Sequence, residues 1–159
     1  MNSDDPIAYF ITWTVYGTHL QGDARGWKQR RKGNQPARLR LAEWHHDRLK
    51  HAVLLLTEGQ RTTVEHECMK HCDHREWHLW AVNARTNHVH AVVTAKSCAG
   101  QVVREQLKAN CTRGLREQWN EFRERPVWTV GGDWQCINSE DDLESAILYV
   151  TEAQDRKGS

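Results

Sequence analysis

Trp77-His-Leu-Trp-Ala-Val-Asn-Ala84, followed by Asn87-His-Val-His-Ala-Val-Val93, decides the reading of this chain. Both runs are rich in β-branched and aromatic residues. Trp77 to Ala84 reads as one strand and His88 to Ala95 as the next, with Asn83 to Asn87 as the short turn between them. On a strand, residues two apart share a face. His88 and His90 therefore project side by side, while Val89 points into a core. Two neutral imidazoles on one rigid strand can hold a divalent metal. They cannot complete a site alone, and surface polar residues alternating with core valines would give the same spacing. The rest of the chain has to decide.

Outward from this hairpin, Ile7 to Tyr16 reads as a first strand. Gly17 to Pro36 carries four Gly and a charge run and reads as a loop. Leu39, Leu41, Trp44, Leu49 and Val53 fall near helical spacing, so 37–52 reads as a helix. Thr57-Glu-Gly-Gln60 is a capping-box sequence, and the helix behind it should run to about Arg75. A further helix is expected from about Gly100 to Phe122. Pro126 to Ile137 reads as extended, with Gly131-Gly132 as a turn or bulge. Ser139 is a good N-cap for a last helix, whose first turns hold acids at the positive end of the helix dipole. Leu143, Ala146, Ile147 and Val150 line one side of it. The order β-α-β-β-α-β is the ferredoxin-like arrangement, an α+β fold with a mixed sheet and helices on one face. The C-terminal helix is an addition to it. No linker, repeat or low-complexity segment divides the chain, so residues 1–159 read as one domain.

Composition narrows the class. A chain of 159 residues can bury a real core. No apolar run approaches the ~18 residues of a membrane span. The start, Met-Asn-Ser-Asp-Asp-Pro, lacks the basic and apolar regions of a signal peptide. Five cysteines, an odd count, fit reduced thiols. The expected location is cytoplasmic. The net charge of +1 conceals an asymmetry: residues 24–50 hold nine basic side chains against two acidic, while residues 140–155 hold six acidic and no basic. Arg30, Arg31 and Lys32 lie at the centre of the basic stretch, with Trp27 and Trp44 within it. Cations interleaved with aromatics fit a nucleic-acid surface, through phosphate contacts and base stacking. A solvated loop has the same composition. Lys108, Arg113 and Arg116, on the helix expected from about Gly100 to Phe122, are further candidates for phosphate contacts.

Cys68, His71, Cys72, His74 and His78 lie close together in sequence. A single helix presents such ligands with poor tetrahedral geometry, and structural zinc sites draw a second pair from elsewhere in the chain. A helix with surface His and half-buried Cys explains them better. His45, His46 and His51 border the basic region and read as surface residues.

Of the three tyrosines, Tyr9 and Tyr16 belong to the first strand and read as packing residues. Tyr149 lies on the final helix, in Ala-Ile-Leu-Tyr-Val-Thr-Glu-Ala-Gln154. His-Val-His on a strand, with Tyr on a C-terminal helix and a polar residue just after it, resembles the HUH superfamily of single-tyrosine transposases. Within it, the chain most resembles the REP-associated tyrosine transposases. The resemblance spans nearly the whole chain. It includes the Trp77-to-Val93 hairpin, Leu107-Lys-Ala-Asn-Cys-Thr-Arg-Gly-Leu-Arg116, Val127-Trp-Thr-Val-Gly-Gly132 and Tyr149-Val150.

That resemblance implies a DNA-nicking and strand-transfer enzyme of DNA transposition and recombination. Tyr149 would be the nucleophile, forming a 5′-phosphotyrosine with single-stranded DNA at or near hairpin-forming repeats. His88 and His90 would hold Mg²⁺ or Mn²⁺. A phenol, with a pKa near ~10, needs such activation at neutral pH. The family places an amide four residues after the Tyr as third ligand, and here that position is Ala153. Helix geometry favours Glu152, at i+3, while the resemblance favours the amide of Gln154 if the helix loosens near its end. Both stay open. Related insertion-sequence transposases are dimers and REP-associated ones act as monomers, so monomer and homodimer both fit. A non-catalytic nucleic-acid-binding module of the same fold is the alternative, and it need not keep Tyr149. A metal phosphoesterase is a third reading. Its histidine-triad form would want a third His at position 92, where Val92 stands.

Overall fold

The computed structural model describes residues 5–18 and 50–153. The helix expected over 37–52 lies almost wholly outside them, as do Arg30, Arg31, Lys32, His45, His46 and Gln154. The elements are β1 (Ala8–Thr14), α1 (Glu58–Arg75), β2 (His78–Ala84), β3 (His88–Thr94), α2 (Gly100–Gln118), β4 (Asp133–Ile137) and α3 (Glu140–Leu148). A π-helical turn, Tyr149–Ala153, continues α3.

The four strands form one sheet in the order β2-β3-β1-β4. Every neighbouring pair is antiparallel, which corrects the mixed sheet expected from sequence. The helical crossovers do make β1 parallel to β2 and β3 parallel to β4. In each case the other inner strand lies between them, so no parallel pair is hydrogen-bonded.

Alternation along β1 and β3 divides the core into two layers. Ile11, Trp13, Val89, Ala91 and Val93 face the layer of α1 and α2, where Val64, Cys68, Val103, Leu107 and Leu115 meet them. Phe10 and Val92 face the other way, onto Ile137, Leu143, Ala146, Tyr149 and Val150. Both faces of the sheet are therefore covered. One face carries the two crossover helices, and the other carries the C-terminal helix.

Local chemistry sets the element ends. Thr57 Oγ1 accepts from the Gln60 amide at 3.3 Å, and Gln60 Oε1 accepts from the Thr57 amide at 2.9 Å. This is the capping box legible in the sequence. Ser139 caps α3 through the Asp142 amide at 3.1 Å. The helix expected to reach Phe122 instead stops at Gln118. Trp119 is extended, and a separate 3₁₀ turn, Asn120–Phe122, drives Phe122 into the core. The extended stretch after Pro126 is a strand only from Asp133. Before that, Trp128 makes an isolated bridge to Val15. Gly132 has φ +130, and a Cβ there would lie 2.6 Å from the Thr12 carbonyl oxygen. The strand therefore needs glycine at this approach. The β2–β3 turn is shorter than expected: Asn83 and Ala84 remain in the ladder, and the Arg85 amide bonds the His88 carbonyl at 2.8 Å. Among the described residues, no helix is long and apolar enough to cross a membrane.

Candidate active site

His88 and His90 stand on β3, an inner strand, on the face covered by α3. Thr12 of β1 and Asn83 of β2 are the register partners of His90 on either side. This row of polar side chains crosses the sheet beneath the C-terminal helix. The imidazole centroids are 4.5 Å apart with planes at 74°. The sequence reading set these side chains outside the core. The structure corrects it: His90 is 0% exposed and His88 9%.

Each ring is gripped through Nδ1. His90 Nδ1 lies 3.0 Å from Thr12 Oγ1, and His88 Nδ1 lies 2.6 Å from Asn87 Oδ1. Imidazoles that bind metal through Nε2 are held by an outer hydrogen bond of this kind. His90 Nε2 is buried and takes no hydrogen bond among the described residues. Burial, and then the neighbouring His88 and Arg85, push the His90 pKa well below its usual value. The ring is neutral, the form that coordinates a cation. The pair thus fits two ligands of a divalent metal.

Tyr149 comes to the same place from the far end of the chain. Its ring lies 5.6 Å from that of His90 and 5.9 Å from that of Phe10, and it is 6% exposed. The helix changes character at this residue, since α3 ends at Leu148 and the wide π turn begins with Tyr149. A π turn closes a ring one residue larger than an α turn. That is the loosening the Gln154 reading called for, although Gln154 itself lies outside the described residues. Glu152 is exposed. Among the described residues, no group of three His, Cys, Asp or Glu side chains is disposed to hold a metal.

The remaining candidates take other places. Lys108 is 7% exposed, and its Nζ donates to the carbonyls of Gly131 at 2.7 Å and Thr129 at 3.0 Å. Burial lowers its pKa, against the pull of Glu105. It fastens α2 to the loop before β4. Arg113 is open to solvent and reaches Glu67 at 3.5 Å. It lines an open cavity of about 610 Å³ with Arg116 and Arg123, on the helical layer across the sheet from Tyr149. Cys68 Sγ lies 3.6 Å from Cys111 Sγ inside the α1–α2 core, while His71 turns to Gln106 at 2.7 Å. Tyr9 donates to the Cys98 carbonyl at 2.6 Å, and Tyr16 packs on His51. Neither belongs to the His row.

Sequence reasoning passed over Asn83, Thr12 and Arg85. Asn83 Nδ2 donates to the Val150 carbonyl at 2.9 Å, and Arg85 is 4% exposed beside it. The signal was present: a polar residue on a strand that otherwise reads as core.

Among solved structures, the chain is similar to a REP-associated tyrosine transposase bound to a REP hairpin. The TM-score is 0.58, with 11% identity, covering 99% of this chain and 72% of that one. The likeness is one of fold. Seven solved chains match in all. No family model matches the chain, and no curated protein matches it in sequence.

Proposed function

We propose that this chain is a single HUH-type domain, ferredoxin-like in topology and related to the REP-associated tyrosine transposases, that nicks and rejoins single-stranded DNA. One observation carries the reading. A tyrosine from the C-terminal helix and a histidine pair from an inner strand, distant in sequence, are packed ring against ring on one face of the sheet. A packing role alone would not call for two imidazoles there, each gripped through Nδ1.

In this reading the Tyr149 oxygen attacks the scissile phosphorus. The bond from oxygen to phosphorus forms as the phosphorus–3′-oxygen bond breaks, leaving a 5′-phosphotyrosine and a 3′-hydroxyl. Reversal by another 3′-hydroxyl rejoins a strand without an external energy source. His88 and His90 would hold Mg²⁺ or Mn²⁺, which supplies charge neutralisation at the phosphate. Thr12 and Asn87 keep the two rings oriented, and the apolar packing of Phe10 and Val92 fixes the floor on which Tyr149 rests. The polar neighbour expected to complete the ligand set is Gln154 or Glu152, just after the tyrosine. The DNA surface comprises Arg30, Arg31, Lys32 and Arg113. Lys108 does not belong to it, since its ammonium already serves two carbonyls.

A second reading is a nucleic-acid-binding module of the same fold, which would need the DNA surface and not the tyrosine chemistry; the similar solved transposase is bound to a hairpin. One experiment separates the two. The protein is incubated with hairpin-bearing single-stranded DNA and Mn²⁺ and run on a denaturing gel. A covalent adduct is expected from the wild type. It is expected to vanish in Tyr149→Phe and persist in Tyr9→Phe and Tyr16→Phe. An adduct that survives in Tyr149→Phe, or maps to another tyrosine, removes the nucleophile assignment. Tight DNA binding with no adduct from any form supports the binding module.

A further inference from the structure

Asparagine is disfavoured inside strands, where its short amide competes with the ladder. Asn83 nevertheless sits within β2, 8% exposed, as the register partner of His90. Its amide is oriented at both ends. Nδ2 donates to the Val150 carbonyl at 2.9 Å, and Oδ1 faces Arg85 Nη1 at 3.4 Å. Arg85 can only donate, so its guanidinium fixes which end of the amide turns toward Val150. Val150 immediately follows Tyr149 and is the second residue of the π turn.

We propose that Asn83 is a positioning residue for Tyr149: from its place opposite His90 it holds the carbonyl after the tyrosine, and with it the wide turn that sets the ring against the His pair. The inference rests on the reading of Tyr149 as nucleophile, and it names the device that registers helix to strand. Apolar contacts among Phe10, Ala146 and Val150 hold the helix down, but they resist sliding along the groove only weakly. A hydrogen bond to one particular carbonyl resists it directly. A slip of one residue would move Tyr149 by about 1.5 Å along the axis and about 100° around it, taking the ring off His90. The π turn needs the same support. Such turns are rare and cluster at functional sites. A buried carbonyl within one has to find a donor, and Asn83 supplies it from β2, where it is paired to His90 of the inner strand β3.

The test uses the full chain with 3-fluorotyrosine at position 149, comparing wild type with Asn83→Ala and Asn83→Asp. The aspartate keeps the shape and loses the donor, so it carries the test if the alanine variant folds poorly. The expected result has three parts. The fluorine resonance of Tyr149 shifts or splits in both variants. DNA affinity stays as in the wild type. The rate of adduct formation at saturating DNA falls about a hundredfold, as for a nucleophile displaced by about 1 Å. An unchanged resonance and rate in Asn83→Asp would overturn the inference. So would a rate that falls only in step with DNA affinity or with loss of cooperative unfolding. Should the wild type form no adduct, the nucleophile reading fails, and the fluorine resonance still decides whether Asn83 sets the position of the ring.

Discussion

His90 and His88 share a strand face but not an environment. His90 is fully buried under Tyr149 and Phe10, while His88 lies at the rim beside Asn87. Replacing them should therefore have different costs. His90→Ala empties part of the core and is expected to lower stability by roughly 2–4 kcal/mol. His88→Ala should cost about half as much. Both should abolish metal-dependent adduct formation, so urea melts beside adduct gels separate the structural role from the chemical one. Equal losses of stability would contradict the burial difference. The pH dependence of the metal-free protein follows from the same ring. The folded pKa of His90 lies well below 6.5 because of burial and then the nearby His88 and Arg85. The unfolded chain takes up the proton first as the pH falls. Stability from neutral His90 is thus present above pH 6.5 and is lost as the pH drops toward and through the folded value. With a chelator present, the urea midpoint of the wild type should fall more between about pH 7 and about pH 5 than that of His90→Gln. A parallel fall in the two proteins would place the sensitivity elsewhere.

At the scale of elements, the sequence was most legible where local chemistry alone sets the structure. The Thr57–Gln60 box, the Ser139 cap and the period-two alternation of β3 all read through to the structure, because each depends on neighbours within a few residues. Strand adjacency was less legible. It comes from where the crossovers deposit each strand, which is why the sheet is antiparallel throughout. The turn between β2 and β3 is shorter than its sequence suggests because Asn83 looks like a turn former, and only its bond to Val150 explains why it stays in the ladder. His88, His90 and Tyr149 were legible as residue types in a familiar order. Their meeting under α3, and the π turn that enables it, depends on tertiary contacts that no spacing reveals. Gly132 belongs to this second class. It carries φ +130 at the approach to β4, and a Cβ there would press on the Thr12 carbonyl and the Trp13 side chain. Gly132→Ala is expected to destabilise the protein by about 2–4 kcal/mol, combining backbone strain with overpacking. Thr57→Ala, which only uncaps α1, should cost about 1 kcal/mol. Chemical denaturation of the two variants side by side checks the ranking.

Across the whole molecule, the sheet separates Arg113 from the tyrosine. Arg113 stands on the layer of α1 and α2, and Tyr149 stands on the opposite face. A single strand engaged at Tyr149 has to leave the sheet face before it could meet Arg113. The run Arg30-Arg31-Lys32 follows β1 in the sequence and lies outside the described residues. The sheet itself holds Arg113 away from the His row. The two sets should differ in salt dependence. Each phosphate that a cation no longer neutralises lowers the log–log salt slope of single-strand binding by about 0.7, so removing all three charges lowers it by about 2 if each meets one phosphate. The triple change of Arg30, Arg31 and Lys32 to Ala is expected to weaken binding across sequences with a slope change of that size. Arg113→Ala should change the slope by no more than about 0.7 and leave the adduct rate at saturating DNA intact. Filter-binding titrations at several salt concentrations, with hairpin and unstructured strands, measure both slopes. An unchanged slope in the triple variant would make the basic run a solvated connection. A larger effect from Arg113→Ala than from the triple variant would move the DNA path to the helical layer and away from the tyrosine.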